Sequence, residues 1–406
     1  MKKHTLIAAF CSLFLVNGHA QTDPKIITWK QNTTATGYGG YITNVQLVQY
    51  SSAEVYVSCG CIPEYTIGPW PGNPNVASPQ NLVCQITRNP AQNTGAPAYT
   101  GLGPIGLWSN GVAIFNAQDA HYWVDASSSF AMGTTTTGWN RNALFFEGSG
   151  FDNCLGHPQG SGMYHHHVNP KCLYNDADNT HHSPIIGYAF DGFPVYGAYG
   201  YTNVDGTGPI KRMTSSYVLS TATSRTMGPP VNTTYPLGSM CEDYVYTAGA
   251  GDLDAHNGRF CKTPEYPAGT YAYFVTIDAS LNPVYPFVIG PSYYGTPFTN
   301  VHVTPSGSDT TYTPSPTGVA EVPANIIKFQ VVPNPVEDFA YIYMDATSMN
   351  NVKGSLYNTA GQLVKTIEYM QPTIAYTIDM TGLPAGVYVL NMESGGTRVT
   401  ERIMKR

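Results

Sequence analysis

The chain has 406 residues, among them 41 Gly, 31 Pro and 30 Tyr, and only 11% of its residues are charged. Its formal net charge of −7 and the lack of a basic stripe argue against a nucleic-acid partner. Gly and Pro together stay below the level typical of disordered chains, Tyr and Thr favour strands, and few segments have helical periodicity. Composition therefore predicts a folded, mainly β protein of two or three domains.

The N-terminus has the pattern of a cleavable signal peptide. Lys2 and Lys3 precede an apolar run over 6–16, and Ala20 supplies a small residue after it. The run is shorter than the roughly 20 apolar residues that a membrane-spanning helix needs, and no later run is long enough. We therefore expect a signal peptide over 1–20, export of the mature chain, and no transmembrane segment.

Seven of the eight cysteines would remain after that cleavage. In an exported chain they favour disulfides over thiolate metal sites. The simplest pairing follows sequence order: Cys154 with Cys172, then Cys241 with Cys261. Cys84 would pair with either Cys59 or Cys61, which leaves one thiol free. The sequence does not fix this connectivity.

Two segments of the body share a hairpin pattern. One runs through Asn110-Gly111 and the other through Asp191-Gly192, each after an Ile-Gly pair and before a short β-forming run. These dipeptides are the strongest short hairpin signals, because both central residues must accept positive φ. Each copy therefore predicts a hairpin, and the two are either related parts of one domain or unrelated hairpins with common turn chemistry.

The chemistry of the sequence concentrates in a histidine cluster. Six of the 11 histidines fall within 26 positions: His157, His165, His166, His167, His181 and His182. Residues 163–168 predict a strand, so His165 and His167 would share one face, with Tyr164 and His166 on the other. A His-x-His pair on one strand face is a common beginning of a Zn or Cu site.

Two ligands do not complete such a site. His157 and His182 are the candidates for the third ligand, while Asp191 and Tyr164 are candidates for an alternative ligand or for a group that orients a ligand imidazole. The alternatives are histidines that hydrogen-bond within a polar β-face and a metal-free acid–base histidine. The Gly-x-Ser-x-Gly and His-Glu-x-x-His motifs are both absent from the sequence.

The same region resembles the YHYH-domain family, named for a Tyr-His-Tyr-His motif. The resemblance spans roughly 105–295 and is carried by Tyr164-His165-His166-His167, by 182–197 and by short motifs between 252 and 273. The chain departs from the family at His166, where the second Tyr belongs, but His165 and His167 keep the two His positions. The resemblance supports the site assignment and leaves the reaction open.

A weak calcium pattern follows at Asp252 and Asp254. The third ligand and the Gly of a calcium loop would each fall one position late. A polar turn is the alternative interpretation.

The end of the body is rich in aromatic residues that could form a glycan-stacking platform. They are Tyr271, Tyr273, Phe274, Tyr285, Phe287, Tyr293 and Tyr294. Alternating aromatics in strands more often form core and cross-strand pairs.

The domain plan follows from a polar tract. Residues 304–325 form a Pro/Ser/Thr-rich segment without apolar periodicity, which predicts a linker. It would separate a disulfide-braced, β-rich body with long loops (21–303) from a C-terminal unit (326–406).

The C-terminal unit alternates strand-like runs with turns, which predicts a small β-sandwich. Pro333-Asn334-Pro335, the run 358–362, Leu383–Tyr388 and the final Lys405-Arg406 resemble the type IX secretion C-terminal sorting domain. The resemblance implies type IX secretion machinery as partner and passage across a Gram-negative outer membrane, with the domain removed or used for surface attachment. An ordinary accessory β-sandwich is the alternative.

Together these features predict a secreted or surface-attached bacterial protein with a transition-metal site, Cu or Zn, in which His165 and His167 are the core ligands. An open coordination position would support metal-assisted hydrolysis or copper redox chemistry. A site that only holds loops together is a second possibility. The rival hypothesis is a non-catalytic surface module that recognises glycan or protein through the Tyr-rich face.

Overall fold

The computed structural model describes residues 23–314, 329–332, 334–344, 352–369, 375–394 and 397–406. The predicted signal peptide and the second half of the predicted linker lie outside these residues. The chain divides after Pro314 into two compact units. In the described residues, no helix has the length and apolar character needed to cross a membrane.

The first unit is mainly β, as its composition predicts. Its α-helices are α1 (Pro24–Ile27) and α2 (Ala143–Glu147), and short 3₁₀ helices cover Tyr38–Gly40, Asp125–Ser127, Gly148–Gly150 and Cys241–Asp243. Its strands are β1 (Val45–Tyr50), β2 (Glu54–Cys59), β3 (Leu82–Thr87), β4 (Gly106–Trp108), β5 (Ala113–Ile114), β6 (Gln118–Val124), β7 (Ser129–Met132), β8 (Asn140–Asn142), β9 (His157–Pro158), β10 (Tyr164–His166), β11 (Ile185–Ala189), β12 (Pro194–Tyr196), β13 (Tyr199–Tyr201), β14 (Ile210–Arg212), β15 (Tyr217–Leu219), β16 (Tyr244–Tyr246), β17 (Gly258–Cys261), β18 (Thr270–Phe274) and β19 (Thr310–Thr311).

An eight-stranded mixed sheet forms the centre of this unit. Its strand order is β17-β18-β12-β11-β4-β5-β10-β9. At one edge, β10 pairs antiparallel with β9 and parallel with β5, so that His165 lies opposite His157 on one side and opposite Ala113 on the other. The sheet therefore brings residues of the histidine cluster together at its edge.

Both predicted hairpins are present, side by side in this sheet, as β4–β5 and β11–β12. Their turns differ from the prediction in that only the glycines, Gly111 (φ 77°) and Gly192 (φ 86°), have positive φ. A Cβ on Gly111 would also lie 2.6 Å from the Cβ of Cys59. Glycine is therefore required there both by the turn and by the close approach of β2.

A second, four-stranded sheet has the order β19-β1-β2-β3. Burial alternates along β2, with Val55, Val57 and Cys59 facing the core, which is the pattern of a strand covered on one face. Because β19 pairs with β1, the chain through Pro314 packs on the first unit, although the polar composition from 304 onward reads as a linker. The domain limits drawn from the sequence stay a prediction.

One disulfide braces the first unit, between Cys154 and Cys172, as sequence order predicts. The predicted pairing of Cys241 with Cys261 is wrong, since both thiols are free and buried. Cys241 Sγ lies against the carbonyls of Ala117 and Arg141, whereas Cys261 ends β17 in the central sheet.

The predicted bridge from Cys84 to Cys59 or Cys61 is also absent, and all three thiols are free. In the β2–β3 register Cys84 lies opposite Val57, two residues away from Cys59. A hydrogen bond with Cys59 and burial raise the pKa of Cys61 well above its usual value. Cys61 is therefore a neutral core thiol, and Cys59 and Cys84 are buried beside it.

The predicted aromatic platform is mostly core. Six of its seven members are at most 5% exposed, namely Tyr271, Tyr273, Phe274, Tyr285, Phe287 and Tyr293. Tyr294 stacks on Tyr271, with ring centroids 3.6 Å apart. Burying these rings contributes to packing, so the surface that the rival hypothesis required is not available in this form.

The second unit has its own core and two sheets, β20-β21-β24 and β23-β22-β25-β26, in agreement with the predicted β-rich domain; Pro333 lies outside the described residues. Its strands are β20 (Phe329–Val332), β21 (Phe339–Met344), β22 (Val352–Asn358), β23 (Leu363–Tyr369), β24 (Ala375–Asp379), β25 (Gly386–Ser394) and β26 (Thr397–Lys405).

Candidate metal centre

Strand alternation places His165 and His167 on one side of β10 and its extension. Their Nε2 atoms lie 3.1 Å apart. On the opposite side, the ring of His166 packs edge-on against Tyr164 and Trp108. His166, the position at which the chain departs from the family motif, therefore lies on the opposite side of the strand from the paired imidazoles.

Backbone carbonyls fix the tautomers of this pair. His165 Nδ1 lies 3.0 Å from the carbonyl oxygen of Met163, and His167 Nδ1 lies 2.6 Å from that of Asn116. A carbonyl oxygen only accepts, so each Nδ1–H donates and each neutral ring presents an unprotonated Nε2. Two nitrogen lone pairs that face each other at 3.1 Å repel unless a cation lies between them.

His157 joins the pair from the neighbouring strand β9. One nitrogen from each of His157, His165 and His167 lies within 4.8 Å of the others, and among the described residues this triad is the one such group of three or more His, Cys, Asp or Glu. In a tetrahedral zinc site, Zn–N bonds of 2.0–2.1 Å put neighbouring ligand nitrogens about 3.3 Å apart. His157 Nε2 is buried and has no hydrogen-bond partner, so its lone pair is free to bind a metal ion.

Burial keeps the three rings neutral. Burial, and then the charges of His167 and His166, lower the pKa of His157 to about 3. Burial also lowers the pKa of His167 to about 4 and that of His165 well below its usual value. Neutral imidazole is the form that binds a metal. The three histidines therefore need not lose a proton to bind a metal at neutral pH.

A carboxylate lies beside the triad. Glu147 ends α2, and its Oε2 is 3.4 Å from His167 Nε2 and 3.7 Å from His157 Nε2. This oxygen is buried without a hydrogen-bond partner. Asn142 caps the helix by accepting from the Leu144 amide, which fixes where α2 begins and so where Glu147 lies.

The surroundings of Glu147 favour its protonated form. Burial, and then the charge of Asp119, raise its pKa to about 8, while Arg141 opposes them. Arg141 is itself engaged, with Nη2 2.5 Å from Asp119 Oδ2 and its guanidinium 3.9 Å above the Phe146 ring. A cation at the triad would favour the carboxylate, which could then accept a proton from bound water.

A cavity of about 560 Å³ opens in front of the triad. Its walls combine the three histidines of the triad and Glu147 with amide and apolar side chains, including Asn73, Asn75, Gln118, Gln159, Phe115 and Phe146. The ring of Phe115 stacks on His165 at 3.8 Å between centroids. Access to solvent from one side would leave a coordination position open to a small ligand.

His182 is not part of the triad. Its ring packs against Tyr196 and Tyr201, and its Nδ1 lies 2.8 Å from the carbonyl oxygen of Ser183. Of the two candidates for a third ligand, the structure thus brings only His157 to the pair.

Neither predicted orienting residue contacts the triad. Tyr164 donates to Asp152 at 3.0 Å, and Asp191 accepts from the Tyr273 hydroxyl at 2.6 Å and from the Gly295 amide at 2.9 Å. Met163 and Asn116 orient the imidazoles instead, through backbone carbonyls. A backbone acceptor leaves no side-chain signal in a sequence, which is why these partners were missed.

Asp191 gives a pH-dependent prediction. Burial raises its pKa to about 6, so between about pH 4, where an unfolded Asp ionises, and pH 6 the folded chain holds a proton that the unfolded chain releases. We expect wild-type stability, relative to Asp191→Asn, to fall with rising pH across this window and to change little from pH 6 to 8. Urea unfolding followed by Trp fluorescence measures it, since all five tryptophans lie in the first unit. A pH-independent difference would contradict the assignment.

The carboxylates of both calcium candidates accept hydrogen bonds from other groups of the protein. Asp252 accepts from Lys211 Nζ at 2.7 Å and from Thr214, whereas Asp254 accepts from the Tyr271 hydroxyl at 2.8 Å and the His256 amide. The segment is held as a polar turn by these bonds.

Each of the two units contains a segment that matches a known protein family. The family described as "YHYH protein" matches residues 83–285, half of the chain, and "Secretion system C-terminal sorting domain" matches residues 330–406. A sorting domain of this type implies recognition by the type IX secretion machinery and secretion to the cell surface. No curated protein matches the chain.

Among solved structures, latent PorU from Porphyromonas gingivalis is 20% identical and matches 22% of this chain with a TM-score of 0.17. The match spans about a tenth of the PorU chain. A likeness this slight carries no argument about fold or function.

Proposed function

The chain belongs to the YHYH protein family, and we propose that it is a secreted metalloprotein that binds one Cu or Zn ion through His157, His165 and His167. The observation that carries this proposal is the pair of unprotonated Nε2 atoms 3.1 Å apart, each fixed by a backbone carbonyl. Evolution of such a repulsive pair in a buried site is hard to explain without a bound cation.

The carboxylate of Glu147 favours hydrolysis over electron transfer. Its orphaned Oε2 lies 3.4 Å and 3.7 Å from two ligand nitrogens but is not part of the ligand group. A metal ion with an open position lowers the pKa of bound water, and a neighbouring carboxylate accepts the proton. In a metal-loaded site the ion would supply an acidified water, and Glu147 would be its proton acceptor. Copper redox chemistry is the alternative that the ligand set also permits.

Metal content of the full-length protein tests the proposal. We expect about one ion per chain after incubation with Zn²⁺ or Cu²⁺ and dialysis, and none in the His165→Ala/His167→Ala variant. His181, which is exposed and outside the triad, provides the matched control, because His181→Ala should bind like the wild type. Equal metal content in all three proteins, or none in any, would overturn the proposal.

Glu147→Gln separates binding from chemistry. The variant should keep the metal, because Glu147 lies outside the group of three histidines, but should lose activity toward chromogenic ester and glycoside probes by about a hundredfold. Loss of the metal instead would make Glu147 a ligand. Activity unchanged in a metal-loaded variant would remove it from the reaction.

A further inference from the structure

A second cavity adjoins the metal site. It measures about 230 Å³ and is lined by Tyr217, Tyr244, Tyr285, Glu242 and Asn140, among others; we call it the tyrosine pocket. Drug-sized ligands occupy pockets of roughly 300–1,000 Å³, so this one fits a single ring rather than a larger molecule.

One wall of the tyrosine pocket is aromatic. The rings of Tyr244 and Tyr285 stack in parallel, with centroids 4.5 Å apart and planes 8° apart. Tyr217 meets Tyr285 edge-on at 5.3 Å, and its hydroxyl is tied to the Ala255 carbonyl. The wall is therefore held in place before any ligand binds, which reduces the entropy cost of binding.

The other wall is polar and carries one acid. Glu242 accepts from the Asn140 side chain at 2.6 Å and from the Asn140 amide at 2.7 Å, one bond to each carboxylate oxygen. Each oxygen keeps a further lone pair for a ligand donor. Thr134, Thr135 and Thr136 add small polar groups.

The charge of the pocket restricts the ligand class. The described residues that line it include no lysine, arginine or histidine, so nothing neutralises a phosphate, sulfate or carboxylate. The Glu242 carboxylate is already shared with two N–H donors, which weakens it as a counter-ion for an amine. A neutral molecule with hydroxyl donors and one apolar ring face matches both walls.

The two cavities meet at Gln118, which lines both. The segment from Asn116 to Gln118 forms the partition between them, and the Asn116 carbonyl accepts from His167 Nδ1. The tyrosine pocket and the cavity in front of the triad therefore share Gln118 as a wall residue, and an extended ligand that bridged them would run along its side chain.

We propose that the tyrosine pocket binds one sugar residue of a neutral glycan, whose chain continues past Gln118 to the histidine triad. Binding of the sugar in the pocket does not require the metal, whereas reaction of the glycan at the triad rests on the proposed function. The predicted platform at 271–294 is mostly buried, and this pocket reuses only Tyr285 from it.

Binding of neutral oligosaccharides to the full-length protein tests the inference. The probes are tetraoses of β-1,4-glucose, β-1,4-N-acetylglucosamine and α-1,4-glucose, with tetragalacturonate as the anionic control and spermidine as the cationic control, followed by saturation-transfer NMR and calorimetry. We expect saturable binding of at least one neutral tetraose, tighter than its monosaccharide, and none of either control.

Two variants locate the binding. Tyr244→Ala and Glu242→Gln should each weaken it about tenfold, while Tyr246→Ala, on the same strand but outside the pocket, should not. The Trp fluorescence melting curve of each variant reports whether its first unit is folded.

The metal-free His165→Ala/His167→Ala variant should bind the tetraose like the wild type, so failure of the metal proposal would leave this result unchanged. The inference is overturned if no neutral tetraose binds, if spermidine binds instead, or if both pocket variants behave like Tyr246→Ala. Equal affinity for tetraose and monosaccharide would refute the continuation of the chain past Gln118.

Discussion

Zinc added to the metal-free protein is expected to raise the free energy of unfolding of the first unit by about 4 kcal/mol when free zinc exceeds the dissociation constant a thousandfold. The unfolded chain has no preformed site, because His157 lies on β9 and the other two ligands on β10 and just after it. Zinc therefore binds only the native state, and its binding free energy adds to the free energy of unfolding. For a unit of this size the shift in melting temperature is about 7 °C, and Trp fluorescence follows it.

The control for this shift is a pair of single variants at packed histidines, one inside the triad and one outside it. His157→Ala removes a ligand and should abolish most of the shift, whereas His182→Ala removes a packed ring outside the triad and should retain it. Copper should give the larger shift of the two metals, since it binds nitrogen ligands more tightly than zinc does. A shift that survives in His157→Ala but disappears in His182→Ala would place the metal elsewhere.

The placement of His165 and His167 side by side was predictable because it depends on local geometry alone. Strand alternation puts His165 and His167 on one face wherever the strand lies. His157 and His182 were indistinguishable in the sequence, since each lies in a polar turn-forming segment next to or near Pro. Only the pairing of β9 with β10 brings His157 to the site. A local sequence pattern does not show which strands pair.

Glu147 was missed for a related reason. It lies ten residues before the nearest ligand, outside the dense cluster, in a five-residue helix too short to show helical periodicity. Its role depends on the capping of that helix by Asn142 and on the fold that lays the helix against the sheet edge. The signal available in the sequence was a single acidic residue among many.

The cysteines show the same limit. Sequence order gave the correct bridge for Cys154 and Cys172, 18 positions apart, because β9 and β10 between them pair and bring the chain back toward its start. Cys241 and Cys261 are about equally close in sequence, yet each is held by a different element. Proximity in sequence therefore predicts a bridge only where the intervening chain returns on itself.

Replacement of Cys154 and Cys172 by serine is expected to lower the free energy of unfolding by about 3 kcal/mol, the loop-closure value for a bridge of this separation, and to weaken metal binding as well. The bridge joins the segment before β9 to the segment after β10. Strands β9 and β10, together with the residue that follows β10, carry the triad. Asp152 already ties the first segment to β10 by accepting from Tyr164. Without the bridge, this bond and the two-residue pairing of β9 with β10 hold His157 in place.

Urea unfolding with and without zinc separates the two effects of the bridge. The metal-free measurement gives the loss of chain stability, and a further loss in the presence of zinc gives the weakening of the site. Reducing the wild type with a phosphine should reproduce both losses, while the same reductant should leave the double serine variant unchanged. If the variant loses stability but binds zinc with the wild-type affinity, the Asp152–Tyr164 bond and the β9–β10 pairing are sufficient to order the triad, and the bridge serves the fold alone.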